Sequence, residues 1–363
     1  MINCFKIREK FSWLFTSLSW DVAVDLGSSN TLVYLKDRGV VIDEPTMMVR
    51  PKKKRWTGLS APKNQNRQPI AFGFKAKEML NREPKQIEVV SPIKNGVIVD
   101  LEALNNLIAY YLKLIYEVPS KYPKILKPRI VVGVPSFINQ VQKRAIKAAF
   151  VKAGARKVTL VEGAVLAAIG VGLPTDSSAG LVVVDIGGGK TEVSVVSMGG
   201  VVLGRHIKTA GDDFDKSIIN YIKMKYGILI GANSAEKIKI AMGGKSIDLV
   251  RGRDLESGLP KSVNLNKNEI KEAVALEMMK VVKLVSLVLD ETPAELMEDI
   301  LKRGIVLVGN GSKVDGMAAL IEGKTKICTR LIEDGGMSLI KGGGELIENK
   351  ELLKQVSLVS RIG

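Results

Sequence analysis

One pattern occurs twice in this chain, about one domain apart: an apolar run closing on Asp, then small residues, then a hydroxyl. The first copy is Val22-Ala23-Val24-Asp25-Leu26-Gly27-Ser28-Ser29-Asn30-Thr31. The second is Leu181-Val182-Val183-Val184-Asp185-Ile186-Gly187-Gly188-Gly189-Lys190-Thr191. Each apolar run reads as a buried strand. The glycines let backbone N–H groups approach phosphate oxygens, and an Asp at a strand end can hold a hydrated Mg²⁺. One copy is a weak signal. Two copies, one in each half, predict two similar domains closing on a nucleotide from opposite sides.

The chain, at 363 residues and 46% hydrophobic, is long enough for two domains with sizeable cores. No apolar run approaches the roughly 20 residues that span a bilayer. Cys4 and Cys328 are the only cysteines, which argues against a disulfide framework and for a reducing compartment. His206 has no accompanying ligands in sequence and receives no catalytic or metal role.

The net charge of +16 is unevenly placed. Residues 50–85 hold eleven Lys and Arg, including Lys52-Lys53-Lys54-Arg55, against Glu78 and Glu83. So basic a surface seeks a polyanion. No recognised nucleic-acid module accompanies it, so nucleic acid is set aside. Within residues 1–20, Ile7, Phe11, Leu14, Phe15 and Leu18 fall at i, i+4, i+7, i+8 and i+11, one stripe of an amphipathic helix with Lys6, Arg8 and Lys10 on its flanks. This fits an interfacial membrane helix and not a signal peptide, since charges interrupt the apolar stretch. Packing of the stripe on the body of the protein is the alternative.

Periodicity predicts helices over Leu101–Tyr116, Gln140–Ala153, Val165–Gly172 and Phe214–Met224, with a long helix from Lys267. Strands are expected at Ile130–Val134, Val158–Val161, around 181–185, 192–197 and 201–207, and at Gly304–Val308. A strand pair is expected near 247–265.

Six segments stand in one order: DLGSSNTLVYLKDRGVVIDEP (25–45), GVPSFINQVQKRAI (133–146), DIGGGKTEV (185–193), AEKIKI (235–240), VRGRDLESGLP (250–260) and RGIVLVGNGS (303–312). Together they closely resemble the MreB family of bacterial actins, in the actin/Hsp70/sugar-kinase superfamily, from about Asp21 to about Gly343. The resemblance implies an α/β, actin-like (ribonuclease H-like) fold of duplicated domains, each with an inserted subdomain, around a nucleotide cleft. By that resemblance, 21–50 and 86–155 form subdomain IA, to which the chain returns at about 335–363. Residues 51–85 form IB, 156–210 and 286–334 form IIA, and 211–285 form IIB.

ATP or ADP and Mg²⁺ are the implied cofactors. The resemblance assigns the metal to Asp25 and Asp185. It assigns the phosphates to Ser28, Ser29, Asn30 and Gly187–Gly189, and the base and sugar side to Gly211, Asp212, Glu236, Lys237 and Lys239. Gly309-Asn310-Gly311-Ser312 is expected to follow a buried strand and open a helix against the adenosine. Relatives usually read GGGA there, so Asn310 and Ser312 depart from the pattern.

Two further departures touch hydrolysis. Relatives read I-E-E-P-M-A-A-A where this chain has Val161-Glu162-Gly163-Ala164-Val165-Leu166-Ala167-Ala168, so the water-activating second Glu is Gly163. They also read DIGGGTTEV, so the first Thr is Lys190. A glycine cannot polarise water, and an ammonium only donates. Losing such a residue typically removes about 10²–10⁴-fold in rate, although Glu162 lies beside the substituted position. Lys190 near the γ-phosphate would instead stabilise bound ATP, in place of the metal or beside it.

The resemblance also implies self-association into filaments, as paired protofilaments, at the inner face of the cell membrane, with a role in cell shape or, in wall-less helical bacteria, motility. MreB paralogues are possible partners. Ile125-Leu126 match a hydrophobic loop that relatives insert into the bilayer. A non-polymerising regulatory pseudo-ATPase of the same fold is the competing reading. A kinase of the superfamily is disfavoured because no polar substrate pocket can be placed.

Overall fold

In the computed structural model, which describes residues 20–52, 68–119, 127–173, 178–241 and 249–362, the first Asp–Gly pattern is a β-hairpin. β1 (Asp21–Leu26) turns through Gly27 into the antiparallel β2 (Asn30–Leu35), and β3 (Gly39–Pro45) continues the meander. β4 (Met48–Pro51), β5 (Ala71–Phe72) and β6 (Ile87–Val90) make a small sheet in the order β5-β4-β6, with α1 (Gly73–Met79) after β5. The inserted region thus recruits a strand on either side of the expected 51–85. Buried Arg50 fastens it, donating to Glu88 at 2.8 Å and to Asp100 at 2.5 Å. Asp100 in turn caps the next helix by accepting from Ala103 N at 2.9 Å.

After the hairpin β7 (Ile93–Lys94) and β8 (Val97–Ile98) comes α2 (Leu101–Glu117), which buries Leu104, Leu107, Ile108, Tyr111, Leu112 and Ile115 along one stripe. β9 (Arg129–Val134), α3 (Gln140–Lys152) and β10 (Lys157–Glu162) complete a five-stranded sheet, ordered β10-β9-β1-β2-β3. β9 runs parallel to β1. Trp20, 1% exposed, meets Tyr116 edge-on at 4.7 Å and ties the entry of β1 to the end of α2.

α4 (Gly163–Gly170) leads into the second hairpin, β11 (Leu181–Ile186) and β12 (Thr191–Ser197), followed by β13 (Gly200–Ile207). Then come α5 (Gly211–Tyr226), β14 (Ile228–Leu229), α6 (Ala232–Ala241), β15 (Val250–Asp254), β16 (Pro260–Val263), α7 (Lys267–Asp290) and α8 (Ala294–Arg303). β17 (Ile305–Val308), α9 (Met317–Thr325) and β18 (Thr329–Leu331) return to the sheet, and α10 (Ser338–Glu348) and α11 (Lys350–Ile362) end the chain.

The second sheet is ordered β13-β12-β11-β17-β18. In both sheets a central strand pairs antiparallel with the next strand and parallel with a later one. The duplication inferred from two short motifs therefore extends to topology. β11 is buried on both faces, as its unbroken apolar run requires. One cluster joins β11 and β12 to Phe214, Ile218 and Ile222 of α5 and to Val274, Met278, Val281 and Val285 of α7.

The chain divides into two compact units. The first takes residues up to Val134, Ile138–Val161 and those from Gly343; the second takes Pro135–Phe137 and Glu162–Gly342. β10 pairs in the first sheet, so the chain leaves the first unit after Val161, later than the boundary near 155 expected from sequence. Its return comes at Gly343, within α10, and not near 335.

In the second unit, α4 and α10 cross with almost no space between them. A Cβ on Gly342 would lie 1.9 Å from Leu166 O, and one on Gly170 would lie 1.9 Å from Ser338 O. Gly342→Ala is expected to destabilise by about 1–3 kcal/mol through overpacking. Gly323→Ala, in open space on α9, should be neutral or stabilising by up to about 1 kcal/mol. Urea unfolding of the two variants checks this contrast.

Candidate nucleotide site

The two hairpins match residue for residue. Gly27 N donates to Asn30 O at 3.1 Å, and Gly187 N donates to Lys190 O at 3.0 Å. Leu26 pairs with Thr31 and Ile186 with Thr191, which leaves Asp25 opposite Leu32 and Asp185 opposite Glu192. Each tight turn sets its Asp one residue before the end of a strand. In the first unit, Ser28 Oγ accepts from Gly96 N at 2.9 Å, Asn30 donates to Asp43 at 2.8 Å, and Ser29 O accepts from Thr46 N at 2.8 Å. The Ser28 and Asn30 side chains are therefore held by their own unit.

In the second unit the predicted residues converge. Gly211 N donates to Gly187 O at 3.1 Å, and Asp212 N donates to Gly188 O at 2.8 Å. The N-terminus of α5 thereby takes up the carbonyls of the glycine turn. All peptides here are trans, and a trans peptide directs its N–H opposite its carbonyl. The N–H groups of Gly188 and Gly189 therefore point away from α5, side by side, as an anion cradle needs.

Gly309, at φ 83°, packs against the same place: a Cβ there would lie 2.5 Å from Asp185 Oδ1 and 2.4 Å from Ile186 O. A Cβ on Gly311 would lie 2.8 Å from Gly187 O. The segment Asn310–Lys313 is a 3₁₀ turn and not the start of an α-helix. The residue with positive φ is Gly309, and Asn310 keeps an ordinary negative φ. The side chain of Asn310 lies against Gly336, and Ser312 Oγ donates to Gly309 O at 2.6 Å, closing the turn.

Lys239 donates to Gly211 O and to Asp215, each at 2.8 Å, which brings α6 to the start of α5. Glu236 is half-buried on the same helix, whereas Lys237 is exposed. Glu162 is the N-cap residue of α4, and Gly163 is that helix's first, buried residue. Ile7, Phe11, Leu14, Phe15, Leu18, Ile125 and Leu126 lie outside the described residues.

Lys190 has a partner that sequence reasoning missed. Its ammonium donates to Oε2 of Glu192, which is 3% exposed. Oε1 of Glu192 accepts from Ser136 Oγ at 2.5 Å and from Ser136 N at 3.1 Å. Lys190 Nζ also lies 5.3 Å from the centre of the Phe137 ring, and that ring stacks on His206 at 3.5 Å. Burial works to raise the Glu192 pKa, but the Lys190 charge and the bonds from Lys190 and Ser136 outweigh it and hold Glu192 below its ordinary value. For Asp185, burial prevails and the carboxyl is pushed up; Lys190 opposes the rise and Glu192 adds to it.

Among the described residues no group of three or more His, Cys, Asp or Glu is placed to hold a metal. Mg²⁺ keeps several waters and takes one or two carboxylates beside phosphate oxygens. Asp185, a hard oxygen donor at a strand end against glycine backbone, fits that mode but no all-protein cage.

Two units of one topology, each carrying an Asp at the lip of a glycine-turn hairpin, define an actin-like protein. The sequence pattern of the MreB/Mbl protein family matches residues 19–355, and the chain belongs to that family. It is 38% identical over 347 residues to the cell shape-determining protein MreB of Escherichia coli (strain K12), covering 94% of this chain and 96% of the relative. MreB5 of Spiroplasma citri bound to ADP superposes with a TM-score of 0.82 at 29% identity, covering 93% of this chain and 98% of that one. MamK in a double helical filament shares the fold, with a TM-score of 0.72 at 20% identity, covering 91% of this chain and 99% of that one.

The Glu192 pairing makes stability depend on pH. A carboxyl with a depressed folded pKa contributes fully above its unfolded value, near 4.5, and loses that contribution as pH falls through the folded one. Glu192→Gln should therefore be less stable than the native chain at about pH 7, and the gap should narrow as pH falls below about 4.5. Urea unfolding across that range measures it.

Proposed function

We propose that this chain is an ATP-binding cytoskeletal protein that polymerises into membrane-associated filaments and hydrolyses ATP weakly or not at all. The observation that carries the hydrolysis reading is the pair of substituted positions: Gly163 offers no side chain, and the ammonium of Lys190 is bonded to Glu192. Neither accepts a hydrogen bond from an attacking water.

ADP in the Spiroplasma citri relative supports nucleotide binding, and the trans-peptide cradle of Gly188 and Gly189 supports phosphates at that loop. In this reading Asp25 and Asp185 hold hydrated Mg²⁺, which supplies positive charge to the phosphates. Gly309–Ser312, Gly211, Asp212 and Lys239 frame the nucleoside side, joined by Glu236 and Lys237. Family membership supports self-association, and the cell-shape role of the Escherichia coli relative supports a cytoskeletal one. The location follows as the inner face of the cell membrane, with MreB paralogues as further partners.

No helix among the described residues is long and apolar enough to cross a membrane. Attachment is assigned to the stripe in residues 1–20, the basic 50–85 region and Ile125-Leu126. Electron microscopy of the purified protein with ATP on anionic liposomes tests the whole reading: membrane-bound filaments are expected. ATP binding without filaments would identify the non-polymerising regulatory form instead.

Phosphate release by the native chain should be slower by about 10²–10⁴-fold than from a relative with Glu and Thr at positions 163 and 190. Gly163→Glu combined with Lys190→Thr should raise it, as a phosphate-release assay reads directly; brisk release by the native chain would sink the idea. For attachment, each basic residue near an anionic surface contributes roughly 1 kcal/mol, and polymerisation multiplies weak anchors. Deleting residues 2–18 should reduce pelleting with anionic liposomes, and added salt should weaken what remains. Equal pelleting of the truncated chain would make the stripe packing material.

A further inference from the structure

The second hairpin carries a charge arrangement that its twin lacks. Asp185 and Glu192 are direct cross-strand partners. Residues opposite one another in an antiparallel pair point to the same face, with Cβ atoms about 4.5–5.5 Å apart. Two carboxylates so placed repel. The matching positions of the first hairpin are Asp25 and Leu32, with Asn30 in the place of Lys190. There, the residue opposite the Asp is apolar.

What reconciles the two acids is the lysine of the turn between them. Its ammonium is bonded to Glu192, whose cross-strand partner is Asp185, so one positive charge stands beside the two acids. It is also held in place. Ser136 fixes the far oxygen of Glu192 through two hydrogen bonds, the Phe137 ring lies beside the ammonium, and the Lys190 side chain is only 15% exposed. A lysine so enclosed is a fixed positive charge and not a solvated tail.

We propose that Lys190 is a resident cation of the second phosphate hairpin. It neutralises charge on the Asp185–Glu192 pair that a divalent ion would otherwise neutralise. The chain therefore binds a nucleoside triphosphate with a much shallower dependence on Mg²⁺ than the same hairpin with Thr at 190. Glu192 draws part of that positive charge to itself, so removing its acid leaves more of it for Asp185 and the phosphates. The pair of acids together with Lys190 carries a net charge of one negative unit. Without the lysine the same two acids present two, and the call for a divalent ion rises accordingly. The inference rests on the nucleotide-binding reading above and names how that site balances its charge.

The test is ATP affinity in Mg²⁺ buffer and in EDTA for the native chain, Lys190→Thr and Glu192→Gln. The native affinities in the two buffers should agree within about threefold, whereas Lys190→Thr should lose about tenfold or more in EDTA. Glu192→Gln, with the lysine freed from its acid, should bind ATP more tightly than the native chain in EDTA. A native chain that loses tenfold in EDTA, or a Lys190→Thr variant with the native ratio, overturns the proposal. Should Lys190→Thr not fold, unchanged or weaker ATP binding by Glu192→Gln in EDTA overturns it as well. If the native chain binds ATP in neither buffer, the nucleotide reading fails. The resident cation is then read from thermal midpoints without nucleotide. Mg²⁺ should raise that of Lys190→Thr more than that of the native chain, and equal shifts overturn the inference.

Discussion

The hydrogen bond from Gly187 N to Lys190 O, with its twin from Gly27 N to Asn30 O, governs most of what surrounds it. Each bond closes a strand-to-strand turn, and in the first a Cβ on Gly27 would lie 2.5 Å from Asn30 O. Because the turn is closed there, the strand register is set, and register decides which side chains face which. Asp185 arrives opposite Glu192, and Asp25 opposite Leu32, as a direct result. The glycine carbonyls that the turn leaves over are taken by the first N–H groups of α5, and the remaining N–H groups are directed the other way.

Duplication explains the frame, and divergence within it explains the chemistry. The two sheets share strand order and pairing sense around their central strands. Among the aligned positions at which their hairpins differ, two set the local charge. In the first unit, Asn30 meets Asp43 by a charge-assisted bond at the surface, while Leu32 is buried core. In the second, Lys190 and Glu192 replace that arrangement with a buried ion pair. Such a pair gains from mutual attraction only when its remaining donors and acceptors are satisfied. Ser136 meets that condition, and it comes from Pro135–Phe137, the short segment that the second unit takes from between two stretches of the first. The local charge pair therefore also fastens that short segment to the body of the second unit.

Much of the frame was legible in the sequence, because long elements carry strong periodicity. The stripe of α2, the unbroken apolar run of β11 and the length of α7 all stand where pattern predicts them. Short elements carry too little pattern: β18 has three residues, and the turn at Asn310–Lys313 looks from sequence like a helix start. Boundaries between units were harder still, since β10 runs directly into the first helix of the second unit, with no loop between them to mark the change. Of the site, the two Asp residues and the glycines were legible as motif. Glu192 was not, because it matches the family pattern and the departure falls at Lys190. The signal was present: Lys190 and Glu192 stand two apart at the start of a strand, and residues two apart share a face. A lysine just before a buried strand and a glutamate on it call for each other.

Lys239 shows how an insertion reaches a site without belonging to its motif. It lies on α6, beyond the hairpin in sequence, yet it donates to Gly211 O and to Asp215 on α5. Gly211 N in turn donates to Gly187 O. A chain of contacts thus runs from the inserted helix, through the first residue of α5, to the glycine turn. A Cβ on Gly211 would lie 3.3 Å from both Gly187 O and Lys239 Nζ, so this junction tolerates little added bulk. The position of α5 relative to the turn is consequently set from both sides, by the loop it caps and by the lysine behind it. Because the orientation of the Gly188 and Gly189 N–H groups depends on that position, the lysine supports the cradle whether or not its own charge meets a ligand.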